Sequence, residues 1–214
     1  MACAVCKTAK AKRFCPGLNT DICTACCGTG REETIDCAIS CQYLADAHKH
    51  EKKPVRDPKL TPGADIELSD DFLRGHEFVI VLLGSAMSEG IRRFPNAMDA
   101  DAVDALDHLS KTWRAMDSGL VYESAPVNPI AIAMFDAVTK RVEELRERIR
   151  EADATQTLPD KAILGVIVFL QRVAFGLNNG RSRCKAFLVF LSQFYIDMKK
   201  EEAEAAAEEP KVIL

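Results

Sequence analysis

The stretch ICTACCGTGR, residues 22–31, sets Cys26 and Cys27 side by side with Cys23 three residues upstream of Cys26. Its reading decides how the whole N-terminal region folds. Neighbours on a helical turn differ in direction by about 100°, so two adjacent cysteines do not aim at one target. A helical turn at this point implies two targets. Working outward, the cysteines run Cys3-x2-Cys6, Cys15, Cys23-x2-Cys26-Cys27 and Cys37-x3-Cys41. Eight of the nine fall within residues 3–41, and only Cys184 lies elsewhere.

The compartment decides what such a cluster does. The start, MACAVCKTAKAKRF, carries a lysine by position 7 and has no uninterrupted apolar core, so it does not read as a secretory signal. The longest apolar runs, Phe78 to Leu83 and Ile163 to Leu170, fall far short of the roughly 20 residues a membrane span needs. The expectation is a cytoplasmic protein with no membrane partner. In a reducing compartment, thiols this dense are metal ligands rather than disulfides.

Eight cysteines, Cys3, Cys6, Cys15, Cys23, Cys26, Cys27, Cys37 and Cys41, suffice for two tetrahedral sites of four with none left over. Zinc accepts all-sulfur ligation and asks for no special geometry, so two zinc ions per chain are expected. A catalytic zinc keeps a position open for water, whereas four thiolates close the site. The spacings match neither common iron–sulfur pattern. Two partitions stay open: Cys3, Cys6, Cys23 and Cys27 at one ion with Cys15, Cys26, Cys37 and Cys41 at the other, or the same sets with Cys26 and Cys27 exchanged. His48 and His50, in an HKHEKK context, read as exposed side chains rather than replacement ligands.

The pattern CAVC…CPGL…ICTACC…C…C resembles the cross-braced zinc fingers of the MYND and HIT type. The resemblance covers about forty residues. It implies that Cys23-x3-Cys27 is the central pair, sharing the first ion with Cys3 and Cys6, and that Cys37 and Cys41 are the last pair. Leu18 stands where that pattern has a partner for Cys15, so Cys26 has to replace it. The segments CPGLNTDICTACCGTGR, CAISCQYL and NNGRSRCKAFLVFL are also similar to a family of uncharacterised bacterial proteins, which implies no activity.

Beyond the cysteines the fold class is mainly α. A double-zinc module occupies 1–50 and a linker with three prolines 51–68; a helical bundle fills 69–204, and an acidic, frayed tail 205–214. About five helices are expected, packed antiparallel. The first runs from an N-cap at Ser69 toward Arg93, stopping before Pro95. The second carries Val103, Leu106, Leu109, Trp113 and Met116 on one face and ends or bends at Gly119. The third opens on Asn128-Pro129, a cap followed by proline in the first turn. The fourth, Pro159 to Leu177, is apolar almost all round and should lie at the centre. Its β-branched run from Ile163 could be a strand, but no turn residue interrupts it before Phe175, which favours helix. A turn at Asn178-Asn179-Gly180 leads into the fifth, about Ser182 to Glu204.

The sequence says less about function. Net charge is −4, and the small basic excess of residues 1–60 is cancelled by eight thiolates on two Zn²⁺. A nucleic-acid reader should keep such an excess. Lys7, Lys10, Lys12 and Arg13 therefore read first as a solvated loop. Arg172, Arg181, Arg183 and Lys185 converge near the start of the fifth helix and could bind an anion or an acidic partner. Neither His76-Glu77 nor Asp107-His108 belongs to a recognisable catalytic or metal motif. The expectation is a non-enzymatic adaptor whose partner is another protein. The alternative is a nucleic-acid-associated regulator that uses both basic loops.

Overall fold

The computed structural model describes residues 1–52, 54–122 and 124–192. The chain is mainly helical. A small cysteine-lined core lies at the N-terminus, and a larger apolar core is shared by the later helices. In chain order the elements are β1 Arg13–Cys15, β2 Thr20–Ile22, α1 Thr24–Gly30, α2 Gln42–His50, a 3₁₀ turn Pro58–Leu60, α3 Asp70–Gly75, α4 Glu77–Ile91, α5 Asp99–Asp117, α6 Pro129–Ala152 and α7 Asp160–Leu177. A further helix, α8, covers 186–192. The rest of the expected fifth helix, and the tail at 205–214, lie outside the described residues.

Local chemistry sets the helix starts. Ser69 Oγ accepts the Phe72 N–H at 3.1 Å and caps α3. Asn128 Oδ1 accepts the Ile130 N–H at 3.0 Å ahead of Pro129, and so caps α6. Asp101 ties two starts together: one carboxylate oxygen takes the Met98 N–H at the head of α5, the other the Asn128 side-chain amide. α5 ends at Asp117, and Gly119 supplies the positive φ of +76° that follows.

The helix expected from Ser69 to Arg93 is two helices. The break falls at His76, whose φ and ψ of −118° and 16° leave helical space. Its ring bends back to stack on Phe72, with centroids 4.2 Å apart, and Nδ1 donates to the Phe72 carbonyl at 2.8 Å. Gly75, without a side chain of its own, does nothing to stiffen the junction.

α4 packs chiefly on α6, and α5 on α7. Leu83, Met87, Leu106, Leu109, Met134, Ile163, Ile167 and Leu170 are all fully buried there. The apolar run from Ile163 to Leu170 is helical and lies at the centre of this core. Helix was the right reading over strand because the run continues through α7 without a turn. Among the described residues no helix is long and apolar enough to cross a membrane.

The α4–α6 contact depends on one absent side chain. A Cβ on Gly90 would stand 2.8 Å from the Ala133 carbonyl oxygen and 3.0 Å from the Met134 Cα. Both are backbone atoms of α6 and cannot rotate away. Gly90→Val is therefore expected to destabilise the fold by about 1–3 kcal/mol. At about 2–4 °C per kcal/mol for a chain of this size, a melting curve reads this directly; an unchanged midpoint would mean the two helices do not meet at Gly90.

Within the expected linker, residues 54–68 are a strap rather than a free connection. The Arg172 guanidinium donates to the carbonyls of Pro62, Gly63 and Ile66 at 3.1, 2.7 and 2.7 Å. Gly63, at φ +56°, presses against Val168 of α7.

Candidate metal centre

The N-terminal core is built from Cys3, Cys15, Ile22, Cys23 and Ile35, with Cys6, Cys26, Cys27 and Cys37 packed around it. Five buried residues make too little apolar area to hold fifty residues together, so such a module needs a staple. The short antiparallel β1–β2 pair aligns Arg13 with Ile22 and Cys15 with Thr20. A tight turn closes the first loop: Cys3 donates its N–H to Ala9 O, and Lys7 its N–H to Cys3 O, both at 2.8 Å. Lys7 takes a positive φ of 59° to make that turn.

Four sulfurs converge. Those of Cys3, Cys6, Cys23 and Cys26 all lie within 4.8 Å of one another. Tetrahedral zinc with bonds of about 2.3 Å places its sulfurs about 3.8 Å apart. The Cys6–Cys23 separation is 4.0 Å. Backbone amides support the same sulfurs: Cys23 N–H donates to Cys3 Sγ at 3.2 Å and Cys26 N–H to Cys23 Sγ at 3.4 Å. All nine cysteines are free thiols. These four residues could therefore hold a zinc ion.

The electrostatics agree with a cation site. The Thr8 hydroxyl, followed by the N–H groups of Ala9 and Thr8, brings the Cys6 thiol down to about 5. The neighbouring Cys23 thiol, followed by burial, pushes Cys26 up to about 12. Four sulfurs at this spacing cannot all ionise beside one another unless a positive ion sits among them.

The adjacent pair is resolved in one respect. Cys26, not Cys27, joins Cys3, Cys6 and Cys23, which corrects the pairing the MYND/HIT resemblance implies. The reason is helix capping. Cys23 is the N-cap of α1, and its side chain turns toward the N–H of Cys26 three residues on. Position 26 is thereby drawn to Cys23, and position 27 is rotated off it. Cys27 Sγ instead accepts from the Arg13 guanidinium at 3.7 Å, while Arg13 lies over the Tyr43 ring.

The other four cysteines are less tightly gathered. Burial raises the Cys37 thiol most; the Glu32 N–H works the other way, while the Glu32 carboxylate and then the sulfurs of Cys41 and Cys15 raise it further. Among the described residues the only other group as compact as the first is Glu32, His48 and Glu51. Its charges are already met. Glu32, fully buried, takes the Lys185 N–H at 2.6 Å, the Asn179 side-chain amide at 2.8 Å and His48 Nε2 at 3.1 Å. Glu51 takes the same Asn179 amide at 3.0 Å and the Arg181 guanidinium at 3.0 Å. The amide of Asn179 thus stands between the two carboxylates, where a metal ion would have to sit. His48 is not the exposed side chain its context suggested, since only 12% of it is accessible. His50 is exposed.

The four basic residues near the fifth helix are engaged mostly by internal partners. Arg172 holds the strap. Arg181 binds Glu51 and, at 2.6 Å, the Arg31 carbonyl. Lys185, fully buried, places Nζ 2.7 Å from Asp36 Oδ1. Arg183 gives its backbone N–H to Glu32 O at 2.9 Å and keeps an exposed side chain. Arg181, Arg183 and Lys185 form a polar seam between the cysteine module and the helices. α8 starts at 186 rather than near Ser182 because residues 179–185 are used in that seam. Asp99 then caps it, accepting the N–H groups of Phe187 and Leu188 at 3.0 Å each.

Two histidines of the helical part are also placed. His76 makes the α3–α4 break. His108 Nδ1 meets Ser124 Oγ at 2.8 Å and its Nε2 lies 3.6 Å from Asp104, an array that superficially resembles a hydrolase triad. Ser124 is 7% exposed, and its N–H is fixed on Thr112 Oγ1 at 2.9 Å, so the array pins a loop onto α5.

No family model, curated protein or solved structure matches the chain. What fold and site define is a class: a mainly helical protein carrying a four-cysteine cluster fit for zinc.

Proposed function

We propose that the protein is a cytoplasmic two-zinc adaptor that binds another protein and has no catalytic centre. The observation that carries this reading is the closed donor set at Cys3, Cys6, Cys23 and Cys26. Four thiolates fill a zinc ion's coordination and leave no place for water or substrate, so such an ion organises structure. With Cys26 committed there, Cys15, Cys27, Cys37 and Cys41 remain for the second ion. The sulfurs of Cys15 and Cys41 lie near enough to Cys37 to raise its thiol, in keeping with that set. A cross-braced module of this kind presents a small rigid surface, and recognition of a protein partner is the use that surface suits.

A nucleic-acid reading has one observation in its favour. Lys7, Lys10 and Lys12 are exposed beside Phe14, which is 53% exposed and could stack on a base. Elemental analysis of protein purified without added metal is expected to give two zinc per chain; one zinc, or iron with visible absorption, overturns the metal assignment. Titration with generic DNA and RNA is expected to show no binding even at low salt. Binding that weakens steeply with salt would favour the second reading.

A further inference from the structure

We infer that Glu32 couples the second zinc site, the one proposed above, to the docking of the cysteine module on the helical bundle. Each change in one is therefore felt in the other. The inference rests on that two-zinc reading and extends it. Contacts of several kinds meet at this one residue. Glu32 lies in the short segment that runs from the end of α1 into Cys37. Its carbonyl accepts the Arg183 N–H, and its carboxylate accepts Lys185 N–H, Asn179 Nδ2 and His48 Nε2. Its φ of +53° lies in left-handed space, which a glutamate adopts only when its surroundings hold it there.

The neighbours repeat the pattern. Ser182 Oγ donates to Glu33 at 3.0 Å, Arg181 reaches the Arg31 carbonyl, and buried Lys185 ends on Asp36, the residue before Cys37. The docking surface of the module is thus largely the segment 31–36. That segment is strung between Cys27 and Cys37, two of the ligands assigned to the second ion. Zinc at Cys15, Cys27, Cys37 and Cys41 fixes the ends of the segment and so its shape. When the ion leaves, the segment is released: Lys185 loses Glu32 and Asp36, and Asn179 and Arg181 keep only Glu51. The first site, at Cys3, Cys6, Cys23 and Cys26, lies on the far side of α1 from this segment in sequence and supplies neither of its ends.

Linkage requires the effect to run both ways. Gln at position 32 keeps the size of the side chain but turns an –NH₂ group toward donors. Glu32→Gln should therefore open the seam without touching any cysteine. The test is hydrogen exchange on the full chain, read at residues 181–190, alongside zinc content during titration with a chelator. The wild type is expected to lose protection at 181–190 together with one of its two zinc ions. Glu32→Gln, loaded with both ions, should show protection there reduced about tenfold. It should also give up one ion at a chelator concentration lower by a similar factor, within the range of ordinary coupling energies. Cys3→Ser should lose an ion and leave 181–190 protected. Two zinc ions with protection at 181–190 indifferent to both departures overturns the coupling alone. The coupling falls equally if Cys3→Ser releases the seam, or if Glu32→Gln leaves zinc affinity unchanged. One zinc per chain in the wild type overturns the two-zinc reading, and the coupling with it.

Discussion

A chain carrying Cys23→Ser is expected to hold one zinc fewer than the wild type and to lose the ordered structure of the loop that carries Cys3 and Cys6. Cys23 does three things at once. Its sulfur is one of the four that converge, it caps α1 by accepting the Cys26 N–H, and its own N–H supports the Cys3 sulfur. A serine oxygen could still cap the helix, so the comparison separates ligation from capping. Ligation should dominate. Structural zinc in small modules contributes on the order of 10–16 kcal/mol to folding, against about 1 kcal/mol for a cap. The apolar core that would remain, chiefly Ile22 and Ile35, cannot replace that contribution. Elemental analysis gives the zinc count, and amide spectra give the loss of order. Cys184→Ser is the matched control. That thiol lies 3.1 Å from Asp99 in the helical core, burial pushes it up to about 12, and its replacement should leave zinc content unchanged. A Cys23→Ser chain with full zinc and native spectra would remove the metal reading.

Much of this was visible in the sequence where the determining interactions are short-range. Ser69, Asn128-Pro129 and Gly119 mark helix ends by backbone chemistry within a few residues, and each does so in the structure. α7 was legible because an apolar run with no turn residue has few alternatives. The choice of Cys26 over Cys27 was also within reach, since an N-cap at Cys23 faces the third residue of its helix and not the fourth. The seam was not legible. Glu32 sits in REET, a string that reads as solvated charge, and its amide partner Asn179 is 147 residues away. No local pattern announces a carboxylate whose partners come from α2 and from the turn before α8. The four basic residues near that turn were recognised as a group. Their counter-charges, Glu51 and Asp36, lie in the module, so the convergence that suggested an outward-facing anion site is largely internal. His76 broke a helix that periodicity ran straight through, because its ring folds back onto Phe72 four residues earlier, a local side-chain choice that hydrophobic periodicity does not encode.

Gly17→Ala should have the second large effect, and it should fall on the other metal site. Gly17 lies in the CPGL turn just after Cys15, where the Leu18 N–H donates to Cys15 O at 3.2 Å. A Cβ there would stand 2.1 Å from the Asp36 carbonyl oxygen and 3.0 Å from its carbon. Neither atom belongs to a side chain that could swing aside, so the backbone of the 31–37 segment must move. Asp36 adjoins Cys37 and holds buried Lys185. A single methyl group therefore drives Cys37 away from Cys15 and pulls on the seam together. The cost should lie at or above the upper end of the about 1–3 kcal/mol of ordinary overpacking, since here the clash is with backbone. The expected product keeps the zinc at Cys3, Cys6, Cys23 and Cys26 and loses the other. Gly28→Ala is the control, because a Cβ at Gly28 meets nothing within 4 Å and alanine suits a helix better than glycine. It should bind two zinc ions and melt no lower than the wild type. If Gly17→Ala also binds two, Cys15 and Cys37 do not share an ion, and the eight cysteines divide in some way other than four and four.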